Sequence, residues 1–116
     1  MIHPYPRSAR LQELIHAEVS EMLQRRIKDP RVQGLVTVVE VEVSRDLRKA
    51  TIFVSVYGDN SSRARAMKGL ERATGFVRHE LFKRLDIKRV PEITFKLDER
   101  LDYAQHIEEL LREAGS

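Results

Sequence analysis

The sequence predicts a single α+β domain, and three observations carry that prediction. Apolar residues recur at helical spacing near the start and in the middle of the chain. Three other stretches alternate apolar with polar residues, and 116 residues suffice for one compact core but not for two.

After Pro4 and Pro6, Ser8 is placed to cap a first helix with apolar positions Leu11, Leu14, Ile15, Val19, Met22, Leu23 and Ile27. Arg25, Arg26 and Lys28 fall in its last turn, where they complement the helix dipole, and Pro30 ends it. Gly34 releases a β-rich run, Leu35 to Ser44, in which Val39, Val41 and Val43 alternate with Glu40 and Glu42, one face buried and one wet. A polar turn through Arg45, Asp46, Leu47 and Arg48 leads to a second strand, Ala50 to Tyr57, with Ala50, Ile52, Val54 and Val56 on one side. These two strands form a hairpin. Gly58, Asp59, Asn60, Ser61 and Ser62 read as loop and cap residues ahead of helical periodicity from about Arg63 to Leu85. Ile87 to Asp98 reads as a third strand, with Ile93, Phe95 and Leu97 alternating against Glu92, Thr94 and Lys96. Pro91 favours an edge or the strand's beginning. Tyr103, Ile107, Leu110 and Leu111 mark a short C-terminal helix, about 100–114, with an acidic outer face. This order is compatible with several α+β folds, and periodicity does not choose among them.

Composition narrows the function. Hydrophobic residues at 41% and charged residues at 34% fit an ordinary globular domain, and the lack of Trp argues against a large ligand-stacking pocket. Without Cys there is no disulfide, thiolate nucleophile or cysteine metal site. No apolar run approaches a membrane span of ~20 residues, and no secretory-type stretch opens the chain, so the cytoplasm is the expected location. The net charge of +3 is unevenly spread: residues 1–85 carry sixteen Lys and Arg against ten Asp and Glu, and residues 86–116 carry five against eight. A polyanion is the leading partner, since clustered cations gain from phosphate neutralisation; an ordinary solvated surface is the rival explanation.

The second helix concentrates this bias, with seven Lys or Arg between Asn60 and Leu85 against Glu71 and Glu80. At 100° per residue, Met67, Leu70, Thr74, Val77, Leu81 and Leu85 gather on one side and Arg65, Lys68, Arg72, His79 and Lys83 opposite. Gly75 interrupts the pattern where glycine costs about 1 kcal/mol relative to Ala. Either a kink frees backbone N–H groups there, or the helix approaches the sheet too closely for a side chain. Phe76 beside it could stack on a base or tuck onto the core edge. His3, His16, His79 and His106 lack metal-ligand spacing, and Asp29, Asp46, Asp98 and Asp102 sit in turn-like or cap-like contexts. No phosphate-binding glycine loop or nucleophile motif appears, so a binding protein without catalytic residues, cofactor, metal or small-molecule substrate is expected. A module whose acidic C-terminal helix meets a protein partner is the alternative.

The ordered set Asp29-Pro30-Arg31, Gly34, Val43-Ser44-Arg45-Asp46-Leu47, Ala50, Val54-Ser55-Val56, Ala73-Thr74-Gly75 with Arg78 and Leu81, and Pro91-Glu92-Ile93-Thr94-Phe95 with Asp98 resembles the bacterial ribosome-binding factor A family. The resemblance covers about Arg7 to Leu111. It implies a KH-like type II topology, α-β-β-α-kink-α-β, over one RNA-binding domain (1–116, core about 7–98). In it the usual GxxG loop is replaced by a helix-kink-helix element, matched here by Ala73-Thr74-Gly75. It also implies a non-enzymatic partner of the small (30S) subunit that assists late maturation and 5′ processing of 16S rRNA, with importance in the cold; a monomer is expected. By position, the implied RNA-facing residues are Lys68, Arg72, Ala73, Thr74, Gly75 and Arg78. Arg65 and His79 join from the stripe; Arg45, Arg48 and Lys49 at the hairpin turn, and Arg7 and Arg10, are weaker candidates. Without GxxG, shape and phosphate contacts should dominate.

Overall fold

Residues 6–25, 36–99 and 111–112 are described by the computed structural model. They form α1 (Arg7–Arg25), β1 (Val36–Val43), β2 (Lys49–Val56), α2 (Asn60–Arg84) and β3 (Glu92–Leu97). The expected order of elements and the α+β class are therefore present. Ile27, Leu35 and most of the expected C-terminal helix lie outside the described residues; Leu111 and Arg112 are helical.

The sheet has the order β1-β2-β3, with β1 antiparallel and β3 parallel to β2. A parallel pair cannot be closed by a tight turn, so α2 serves as the crossover. α1 lies over β1, α2 lies over β3, and the two helices touch. Between helices and sheet sits a mainly aliphatic core: Ile15, Val19 and Met22 from α1, Ile52 and Val54 from β2, and Leu70, Val77 and Leu81 from α2 are fully buried. As expected, Ala50, Ile52, Val54 and Val56 all face inward, because β2 is the central strand.

Several local expectations need correction. The first helix begins at Arg7, with the Arg10 N–H donating to the Pro6 carbonyl at 3.1 Å, so Ser8 lies inside the first turn instead of capping it. Leu14, at the margin of the apolar stripe, is 39% exposed. In β1, Val38 pairs with Val54 but Glu40 pairs with Phe53, leaving Val39 as the extra residue of a β-bulge. The bulge shifts the alternation by one, so Val38 is buried where Val39 was expected. The third strand starts at Glu92, five residues after Ile87, because Pro91 cannot donate to a ladder and instead packs in the core. β1 and β3 are the sheet edges; on β1 the outward Val43 N–H donates to the Gln12 side chain at 3.0 Å.

Both turns flanking β2 are fixed by aspartates. At the hairpin, Asp46 Oδ1 accepts from the Ser44 hydroxyl (2.6 Å) and the Arg48 N–H (3.0 Å), while Lys49 N–H donates to Ser44 Oγ (3.0 Å). These bonds hold Leu47 at φ 62°, a left-handed conformation that costs an L-residue roughly 1–2 kcal/mol. After β2, Gly58 adopts φ 131° and a Cβ there would lie 2.9 Å from that of Ser62, so this sharp entry to α2 requires glycine. Asp59 then caps the helix, accepting from the Ser62 N–H at 2.8 Å. The helix accordingly begins at Asn60, one turn ahead of the expected Arg63.

These bonds hold Asp46 and Asp59 below the ordinary carboxylate pKa of 3.8, through the Ser44 hydroxyl and the Arg48 N–H for the former and the Ser62 N–H for the latter. A carboxylate depressed in the folded state adds stability above its unfolded pKa and loses it as the pH falls through the folded value. Stability should therefore decline as the pH drops below about 4. Denaturant midpoints measured across that range should show this limb flattened in an Asp46→Asn, Asp59→Asn double variant.

Candidate nucleic-acid interface

Helix α2 runs 25 residues, Asn60–Arg84, without interruption through Ala73-Thr74-Gly75. The expected break into two helices is absent, and the energetics explain why. Glycine costs about 1 kcal/mol in a helix interior, whereas burying Leu70, Val77 and Leu81 contributes roughly 1.5–3 kcal/mol each. The competing explanation for Gly75 also fails, since a Cβ built there meets nothing within 4 Å. Gly75 faces water. Thr74 is half-buried, and its hydroxyl donates back to the Leu70 carbonyl at 3.2 Å. Gly75→Ala is therefore expected to raise stability by about 0.5–1 kcal/mol in urea unfolding.

Arg65, Lys68, Arg72 and His79 are all exposed along α2, and Gly75 is exposed between the last two. Positions 68, 72, 75, 79 and 82 follow helical spacing, so Phe82, 57% exposed, extends the same face. Phe82 is not among the residues expected from the sequence, although its place at i+3 from His79 marks it as part of this face. Phe76 remains 41% exposed, one turn beyond Arg72. From Arg65 to Lys83 this surface spans roughly 27 Å. Midway along it, Lys68 and Thr74 border a cleft of about 390 Å³ against Ile93, Thr94 and Phe95 of β3.

Not every basic residue of the helix is available. Arg84 Nη1 contacts Glu18 Oε2 at 2.8 Å and Glu21 Oε2 at 2.5 Å, which ties α2 to α1 and raises the guanidinium's pKa. Arg78 donates to the Val90 carbonyl at 3.3 Å, and Lys83 stands 3.5 Å from the buried Glu80. Arg63 is directed at the Val56 carbonyl. Lys68, Arg72 and His79 make no such contacts among the described residues, and Arg65 has a 3.5 Å contact to Ser62 Oγ and an attraction to the Asp59 carboxylate.

The hairpin candidates lie elsewhere. Arg45, Arg48 and Lys49 are exposed at the turn, and Arg48 lines a different cavity together with Arg7 and Arg10. The structure thus divides the expected site into two basic surfaces. Among the described residues no cluster of His, Asp and Glu could hold a metal, and no helix is long and apolar enough to cross a membrane.

Fold and surface together define a small α+β domain whose crossover helix presents a cationic face. The family model for ribosome-binding factor A matches residues 7–111. A Natranaerobius thermophilus ribosome-binding factor A is 47% identical over 107 residues, 92% of this chain and 81% of that one. Its Brevibacillus brevis counterpart is 48% identical over 110 residues, 95% and 90% of the two chains. Among solved structures, a Thermotoga maritima protein assigned as a ribosome binding factor A superposes with TM-score 0.71 at 35% identity, covering 83% of this chain and 91% of that one. A homology model of the Thermus thermophilus factor, fitted into the cryo-EM map of its complex with the 30S subunit, gives 0.56 at 25% identity, covering 74% and 93%. The chain belongs to the ribosome-binding factor A family.

Proposed function

We propose that this protein binds the free small (30S) ribosomal subunit and assists late maturation of 16S rRNA, including processing at its 5′ end, with particular importance in the cold. It acts as a cytoplasmic monomer, by binding and not by catalysis. The observation that carries the reading is the combination of family membership with an exposed cationic face on α2, where Arg65, Lys68, Arg72 and His79 are free to meet phosphates. The Thermus thermophilus relative fitted into a 30S complex supports the choice of partner. The α-β-β-α-β order and the parallel β2–β3 pair support placing the domain in the KH-like type II class.

Within this reading, Ala73-Thr74-Gly75 contributes without a break in the helix. Gly75 leaves a bare patch of backbone between Arg72 and His79, which lets a phosphate strand lie close to the helix. Phe82 and His79 offer ring faces for stacking. Arg78 adds charge at the margin, and Arg45, Arg48 and Lys49 contact RNA from the hairpin turn.

The test is co-sedimentation of the purified chain with free small subunits in low-salt gradients. The protein should travel with the free subunit and leave it as salt rises; failure to co-migrate at low salt would end this reading.

A further inference from the structure

A groove of about 920 Å³ opens between the start of α1, the hairpin turn and the segment joining α2 to β3. Arg7, Arg10, Arg48, Lys88 and Arg89 line it, drawn from stretches far apart in the sequence. All five are exposed, and none forms an ion pair with another described residue. Two carboxylates stand beside them, Asp46 and Asp86, and Asp46 is already engaged by Ser44 and the Arg48 N–H. Arg84 also borders the groove but is held by Glu18 and Glu21. The apolar part of the lining is aliphatic, including Leu11, Leu47 and Leu85.

Five exposed cations around one concavity, of which only Arg48 has a nearby carboxylate attraction among the described residues, to Asp46, repel one another and concentrate positive potential there, an arrangement that a polyanion relieves. The Asp46 bonds fix the turn that carries Arg48, so part of this surface is preorganised. None of Arg65, Lys68, Arg72 and His79 lines the groove, which makes it a surface separate from the α2 face. Its volume is at the upper end of the range for ligand pockets, and its aliphatic lining gives the sugar faces of an unpaired strand a surface to pack on.

We propose that this groove is a second RNA site, taking the phosphates of an unpaired strand on its cationic rim and sugar faces against its aliphatic lining. The protein then holds two RNA segments at once, one on α2 and one here. This rests on the ribosome-binding reading above.

The test uses the full chain, a labelled oligouridine of about 12 nucleotides, a duplex of equal length and polyglutamate. The variants are Arg10→Glu/Lys88→Glu/Arg89→Glu in the groove and Lys68→Glu/Arg72→Glu on α2. The groove variant should bind the oligouridine at least about tenfold more weakly, with its salt slope reduced by about two, since each phosphate contact contributes roughly 0.7 for a single strand. A larger loss for oligouridine than for duplex also supports the proposal. Unchanged oligouridine affinity and slope in a groove variant with wild-type thermal stability overturns it. So does a loss confined to polyglutamate, which makes the groove a peptide site. If the α2 variant loses small-subunit binding in that same case, the ribosome-binding reading stands and only the second site falls; a wild-type chain that does not bind subunits removes both. Should the Glu variant unfold, the corresponding Gln variant keeps the aliphatic stems and carries the same comparison.

Discussion

Replacing Arg65, Lys68 and Arg72 together by Glu is expected to weaken binding to the small subunit by about 10²-fold or more at ~0.1 M salt. Each substitution removes a cation that the fold leaves exposed and substitutes a charge that phosphate repels. Because all three lie on the water-facing side of α2, the unfolding midpoint should hardly move. The slope of log affinity against log salt should fall by about three, one per lost phosphate contact. Arg78→Glu supplies the contrast: its guanidinium is bonded to the Val90 carbonyl, so its loss should weaken stability more than affinity. A triple variant that binds with wild-type affinity and slope would remove α2 from the interface.

The largest stability effect should come from Leu81→Ala, a loss of about 2–5 kcal/mol in urea unfolding. Leu81 is fully buried within the core shared by helices and sheet. Collapse of the surroundings would shrink the cavity, but α2 is pinned one turn later, where Arg84 meets Glu18 and Glu21 on α1. For a domain with total stability of roughly 5–15 kcal/mol, such a loss removes a substantial part of it. A loss below about 1 kcal/mol would mean that the end of α2 does not pack as described.

Much of this fold was legible because its elements obey simple periods. Ala50, Ile52, Val54 and Val56 keep strict alternation, being central and undisturbed, and β2 lies where that alternation places it. Alternation failed in β1 because a bulge is a defect in the period, invisible when valines occupy both 38 and 39. Gly75 misled for another reason. A glycine's local cost signals a break only if tertiary burial does not outweigh it, and here Leu70, Val77 and Leu81 outweigh it. The charged stripe emerged because exposed cations follow helical spacing. What periodicity could not supply was which cations are already engaged: Arg84 is claimed by acids on another element, and Arg78 by a carbonyl beyond the helix. The cavity joining Arg7 and Arg10 to Lys88 and Arg89 was equally out of reach, since only the closed fold brings those residues together.

The Val39 bulge and the Gln12 bond to the Val43 N–H have a bearing on self-association. A three-stranded sheet offers each neighbouring molecule a border of unpaired amides on which to add another strand. Along β1 that border is bent at the bulge and already answered by a side chain from α1, so an incoming strand meets neither a straight template nor a full set of donors. The α1–β1 contact thus makes this edge of the sheet a poor template for another strand, as well as burying leucines and valines.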